Sequence, residues 1–124
     1  MANPNGRRGA QFETDVLKWL RSVGYDAERL TKTGKDDEGD IVVKVGGIPF
    51  VLELKNEKKV NLTDYVRQAE AERDNYEKHR DIVPELSPLS AGFAAVVKKR
   101  NAPIHDAFVV VPLREWVRQV GTPF

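Results

Sequence analysis

The apolar positions of this chain change period several times, and the changes mark its elements. From Gly9 to Val23 the residues Phe12, Val16, Trp19, Leu20 and Val23 recur at helical spacing, with Gly24 as a natural stop. Trp19 is expected in the core, and Glu13 lies at the edge of the stripe. Tyr25–Leu30 suits a short strand, and the polar stretch Thr31–Glu38 reads as a mobile loop. Two Val- and Ile-rich runs, Asp40–Val45 and Ile48–Leu54, flank Gly46-Gly47 and predict a hairpin. Pro49 has no N–H to give, so it belongs at a strand start or an unpaired edge. Asn61 is placed to cap a helix in which Leu62, Tyr65, Val66, Ala69 and Tyr76 mark one face as far as about His79. Gly92–Val97 and Ala107–Val111 are near-continuous apolar runs, expected as strands covered on both faces. Leu113, Trp116, Val117 and Val120 predict a short last helix after Pro112, with Trp116 also in the core.

The resulting order, αβββαββα, predicts a mixed central β-sheet flanked by helices, α/β in class and α+β-like. At 124 residues the chain suits one domain, residues 9–124, behind a flexible basic arm over residues 1–8. Zero cysteines exclude a disulfide framework, a thiolate metal site and a Cys nucleophile. No signal-type or membrane-length apolar run occurs, so a cytoplasmic protein with no membrane contact is expected. The net charge of +1 is uninformative, but its distribution is uneven. Residues 1–35 and 86–124 each carry a net +3, whereas residues 36–40 hold four acids. An acidic focus between basic flanks suits a cation site within a phosphate-binding surface, but on charge alone an ordinary mixed surface is the preferred reading.

The hairpin GDIVVKVGGIPFVLELKN concentrates the candidate chemistry. Strand alternation puts Glu53 and Lys55 on one face, with Leu52 and Leu54 opposite. Counting outward from the turn, Val45 pairs with Ile48, so Asp40 falls level with Glu53. Two carboxylates this close are unfavourable without a cation, and hard oxygen donors favour Mg²⁺ or Mn²⁺. Taken alone, Glu-x-Lys is common in a charged chain; the register with Asp40 is what raises it.

GDIVV followed by VLELK resembles the metal motif of the PD-(D/E)xK nuclease superfamily, with its restriction-endonuclease-like fold. RGAQFETDVLKWLRSVGYDAERL is similar to the first helix and strand of archaeal-type Holliday junction resolvases, and the likeness covers about residues 7 to 70. The superfamily's proline before the aspartate is replaced here by Gly39. ELK followed by a helix bearing Gln68 also resembles the VRR-Nuc module. The resemblance implies a single nuclease domain, a Mg²⁺-dependent (or Mn²⁺-dependent) endodeoxyribonuclease. It would act on DNA, branched junctions foremost, as a homodimer serving recombination or repair. Asp40 and Glu53 would be metal ligands with the Leu54 carbonyl, Lys55 the catalytic lysine, and Glu13 the helix-borne acid completing the site. Thr33 would occupy the place of a small hydroxyl residue in the loop. Gln68 could face the site or be a surface glutamine. Arg7, Arg8, Lys32, Lys35, Lys58 and Lys59 are candidates for phosphate contacts, which position nucleic acid without reading its sequence. The alternatives are a nuclease on linear duplex, flap or single-stranded DNA, or a catalytically silent binding module of the same fold. Asp36, Asp37 and Glu38 are expected in a solvated loop, and His79 and His105 as structural or surface residues.

Overall fold

In the computed structural model the described residues are 4–30, 37–82 and 90–120, with side chains of the first helix described from Gly9 onward. The elements are α1 (Pro4–Ser22), β1 (Asp26–Arg29), β2 (Ile41–Val45), β3 (Ile48–Lys55), α2 (Leu62–His79), β4 (Gly92–Val97), a 3₁₀ turn (Ile104–Asp106), β5 (Phe108–Val110) and α3 (Leu113–Val120). This is the αβββαββα order with one added turn. The five strands lie in chain order across one sheet, antiparallel except for the parallel β3–β4 pair. That parallel pair requires a crossover, which α2 supplies.

Alternation along the strands decides which helix covers which face. Ile41, Val43 and Leu52 point to the side where Phe12, Val16 and Leu17 of α1 pack. Val42 and Val51 point to the other side, against Tyr76 of α2, and further along Tyr65 packs on Ala95 and Val97. Only β4 is buried along its whole length, as expected for the strand between β3 and β5 beneath both layers. Asn61 caps α2 as its position predicts, its side chain accepting from the Asp64 N–H at 3.1 Å. Gly46 and Gly47 turn the hairpin with φ of +59° and +83°, values that suit a two-residue primed turn.

Several expectations are corrected. The first helix begins at Pro4, so residues 4–8 are helical, not an arm. Strand β5 is short and its Phe108 and Val109 face solvent, so it is not covered on both sides. Trp19 is 37% exposed, at the rim of an apolar cavity of about 320 Å³ where its ring meets His105. Trp116 is 52% exposed because α3 docks through its polar face. Arg118 bonds the Ala91 carbonyl at 3.0 Å and Gln119 the Phe93 carbonyl at 3.3 Å, while Glu115 is buried beneath Arg118. Glu38 is no solvated loop residue either: it is buried and accepts from Arg80 at 2.6 Å, with His79 Nδ1 also 2.6 Å away. Among the described residues no helix is long and apolar enough to cross a membrane.

Candidate active site

The hairpin register sets the geometry. Val45 pairs with Ile48 and Ile41 with Leu52, which brings Asp40, one residue before β2, close enough to Glu53 for its charge to act on it. The backbone holds Asp40 from both ends: its N–H donates to the Leu52 carbonyl at 3.0 Å and its own carbonyl accepts from Leu30 at 2.9 Å. Its carboxylate Oδ2 accepts the Leu54 N–H at 2.8 Å. Entry to this position is through Gly39, whose φ is +103°. A Cβ there would lie 2.6 Å from Val51 Cγ1, so neither alanine nor the superfamily's proline, fixed near −65°, fits this backbone.

Glu53 is buried, and Lys55 Nζ lies 3.5 Å from its Oε1. Lys55 also stands 5.4 Å from the centre of the Tyr65 ring, which walls the site on the α2 side. The Leu54 side chain packs with the α1-side core while its N–H serves Asp40.

Glu72 of α2 is the residue sequence reasoning missed. It occupies a core position of the helix, in series with Tyr65, Ala69 and Tyr76, and its Oε2 lies 3.4 Å from where a Gly39 Cβ would be. Burial, reinforced by the hydrogen bond and charge of Glu53, pushes its carboxyl up to about 10. Asp40 is pushed up to about 7 by burial and then by the Glu53 charge, against the lowering effect of the Leu54 N–H. The signal was legible in principle: a carboxylate interrupting an apolar stripe one turn after Gln68.

Glu13 sits on the α1 side, its Oε1 3.5 Å from Arg29 Nε. Burial raises its pKa, Arg29 opposes this, and the Glu53 charge contributes a further rise, so it lies within electrostatic reach of the site. Gln68 donates to Asp64 Oδ2 at 2.8 Å. Lys58 and Lys59 are exposed in the β3–α2 connection. Lys32, Thr33 and Lys35, and the side chains of Arg7 and Arg8, lie outside the described residues, as does Asp36.

Do these residues suit a cation? Among the described residues five acidic side chains are buried, and Glu38, Glu77 and Glu115 each have an arginine partner. Glu53 Oε2 and Glu72 Oε2 have no hydrogen-bond partner among the described residues. The orphaned buried oxygen of Glu53 is costly, and a hard oxygen donor beside Asp40 fits a hard divalent ion, whereas Glu72, with its raised pKa, holds its proton at neutral pH. Among the described residues no three acidic or histidine side chains form a ready-made cage.

No protein-family profile matches the chain. Among solved structures the chain is similar to Archaeoglobus fulgidus Hjc, a Holliday junction resolvase from an archaeal hyperthermophile, at a TM-score of 0.50 and 22% identity. The match covers 79% of this chain and 74% of that one. The chain therefore has the restriction-endonuclease-like fold that its hairpin motif implied, a mixed five-stranded sheet between helices.

Proposed function

We propose that the protein is a divalent-cation-dependent endonuclease that hydrolyses phosphodiester bonds in DNA, with branched junctions as its foremost substrate. The observation that carries the reading is the juxtaposition of Asp40, Glu53 and Lys55, with a buried oxygen of Glu53 left unpaired. Asp40, Glu53 and the Leu54 carbonyl would hold Mg²⁺ or Mn²⁺, with Glu13 the further acid on the α1 side. When bound, such an ion supplies charge for a phosphoryl oxygen and lowers the pKa of an attacking water. Lys55 stabilises the negative charge that builds on the phosphorus oxygens, from a position fixed by Glu53 and the Tyr65 ring. The Leu54 N–H orients the Asp40 carboxylate, leaving its second oxygen for the ion. The likeness to a junction resolvase supports the substrate class.

A junction must be cut on two strands, which a two-fold homodimer provides. The outward apolar face of α3 (Leu113, Trp116, Val117 and Val120), with Phe108 and Val109 of β5, is the surface we assign to that contact.

The test is cleavage of labelled four-way junction, flap, linear duplex and single strand with Mg²⁺, Mn²⁺ or chelator, wild type beside Lys55→Ala. Symmetric junction cuts, abolished by chelator and slowed about 10²–10³-fold in the variant, are expected. Cutting that ignores the junction would leave a nuclease of another specificity. Tight binding with no cutting would leave a silent binding module.

A further inference from the structure

Among the described cations, some are held in ion pairs and some, Lys18, Lys44, Lys59 and Lys99 among them, are not. Arg29, Arg67, Arg73, Arg80, Arg114 and Arg118 each stand within ion-pair distance of an acid. Lys58, Lys98 and Arg100 have no such partner among the described residues. All three line one cavity of about 300 Å³ together with Asn56 and Asn101, and no acid lines it.

The cavity lies just past the C-terminal ends of the parallel strands β3 and β4, where open sheets with parallel strands place their ligands. The Lys98 N–H donates to the Lys55 carbonyl at 3.0 Å, so the cavity adjoins the candidate catalytic lysine. Both walls are held. Tyr65, buried in the core, sets its hydroxyl 2.7 Å from Glu57 and 2.9 Å from the Lys59 carbonyl, pinning the segment that carries Lys58. The opposite wall is the turn after β4, in which Asn101 takes a left-handed backbone at φ +54°, a conformation asparagine tolerates. Concentrating unpaired cations is unfavourable unless an anion shares the space.

We propose that this cavity binds a phosphodiester of the nucleic-acid backbone, a docking point separate from the bond to be cut. The inference rests on the nucleic-acid reading above but not on cleavage. Asn56 and Lys58 are one to three residues beyond Lys55, a reach of at most about 10 Å. At roughly 3.4 Å of axial rise per nucleotide, the held phosphate is one to three steps from the scissile one. The site fixes the register of the strand and reads no base.

The experiment measures binding of a labelled four-way junction and a labelled linear duplex to the whole protein by fluorescence anisotropy, in chelator, across a salt series. The variants are Lys98→Ala/Arg100→Ala and, as a control removing the same charge, Lys18→Ala/Lys44→Ala. Lys44 pairs with Pro49 next to the hairpin turn, at the far end of the sheet from the cavity. The cavity variant is expected to flatten the slope of log K against log salt by about one to two, with about 10- to 100-fold weaker binding near 0.1 M salt. The control should keep the wild-type slope. Equal slopes in all three proteins, equal losses in both variants, or no binding by the wild type would each overturn the proposal. A parallel titration with inorganic phosphate, followed by the amide resonances of Lys98–Asn101, separates the sources. Shifts with phosphate but none with the oligonucleotide would make this a small-anion site and overturn it. Slope loss in the cavity variant together with no cleavage in Mg²⁺ would uphold the docking site and reject the nuclease.

Discussion

Asp40 shows how much a single residue carries. Its carboxyl is pushed up to about 7, chiefly by burial and then by Glu53, against an ordinary value near 4. A pKa raised in the folded state means that the folded protein binds the proton more tightly. That contribution to stability is complete below about pH 4 and is lost as the pH climbs through about 7. In chelator the melting temperature of the wild type should therefore fall across that window, Asp40→Asn should fall less, and added Mg²⁺ should flatten the wild-type curve. Parallel curves for the two proteins would show that the carboxylates do not burden each other. Gly39 carries a different constraint: Gly39→Ala meets both the +103° φ and the Val51 methyl, and should cost about 1–3 kcal/mol in chemical denaturation. Asp40, Glu53 and Lys55 were legible because strand period and a two-residue turn fix who faces whom. Glu72 was legible only as an interruption of the apolar stripe, because helix patterning shows a carboxylate at a core position but not the partner on another element that it faces.

At the scale of elements, the segment ahead of β2 is tied to the end of α2. Glu38 accepts from Arg80 and lies against His79, and Asn75 donates to the Asp37 carbonyl at 2.8 Å. Burial alone would raise the Glu38 pKa, but the hydrogen bonds from Arg80 and His79 outweigh it and hold it low. Because Arg80 is 40% exposed, solvent screens part of this pairing. Glu38→Ala should cost roughly 1–3 kcal/mol, and cleavage should fall beyond what the lost stability explains, since the same segment delivers Asp40. A variant with normal cleavage at a temperature where it stays folded would separate the tie from the site. Sequence pattern located the described α-helices and strands, most of which have a clean period or a cap, but not the 3₁₀ turn at Ile104–Asp106. It placed Glu38 in solvent because its partners are about forty residues away on another element, beyond the reach of any local pattern.

For the whole molecule, the inverted docking of α3 is the feature with the largest consequence for assembly. An amphipathic helix that turns its polar face inward leaves Trp116, at 52% exposure, at the centre of an apolar surface with Leu113, Val117 and Val120. Trp116→Glu should convert the proposed dimer to a monomer in sedimentation while leaving the fold unchanged by circular dichroism, and the paired junction cuts proposed above should become single nicks. A wild type that sediments as a monomer at working concentration would remove the assignment. The helix was legible from its spacing; its orientation was not, since spacing shows that a face is apolar but not which way it points. The hairpin carries a last consequence, for lengths. Asp40 is five residues before Val45 and Glu53 five residues after Ile48, so the two arms are equal. The turn between them can grow without disturbing that equality. A single residue gained or lost inside either arm, unless a bulge absorbs it, would turn one carboxylate to the opposite face of the sheet. Insertions into this protein should therefore be survivable at the glycines and disabling a few residues to either side of them.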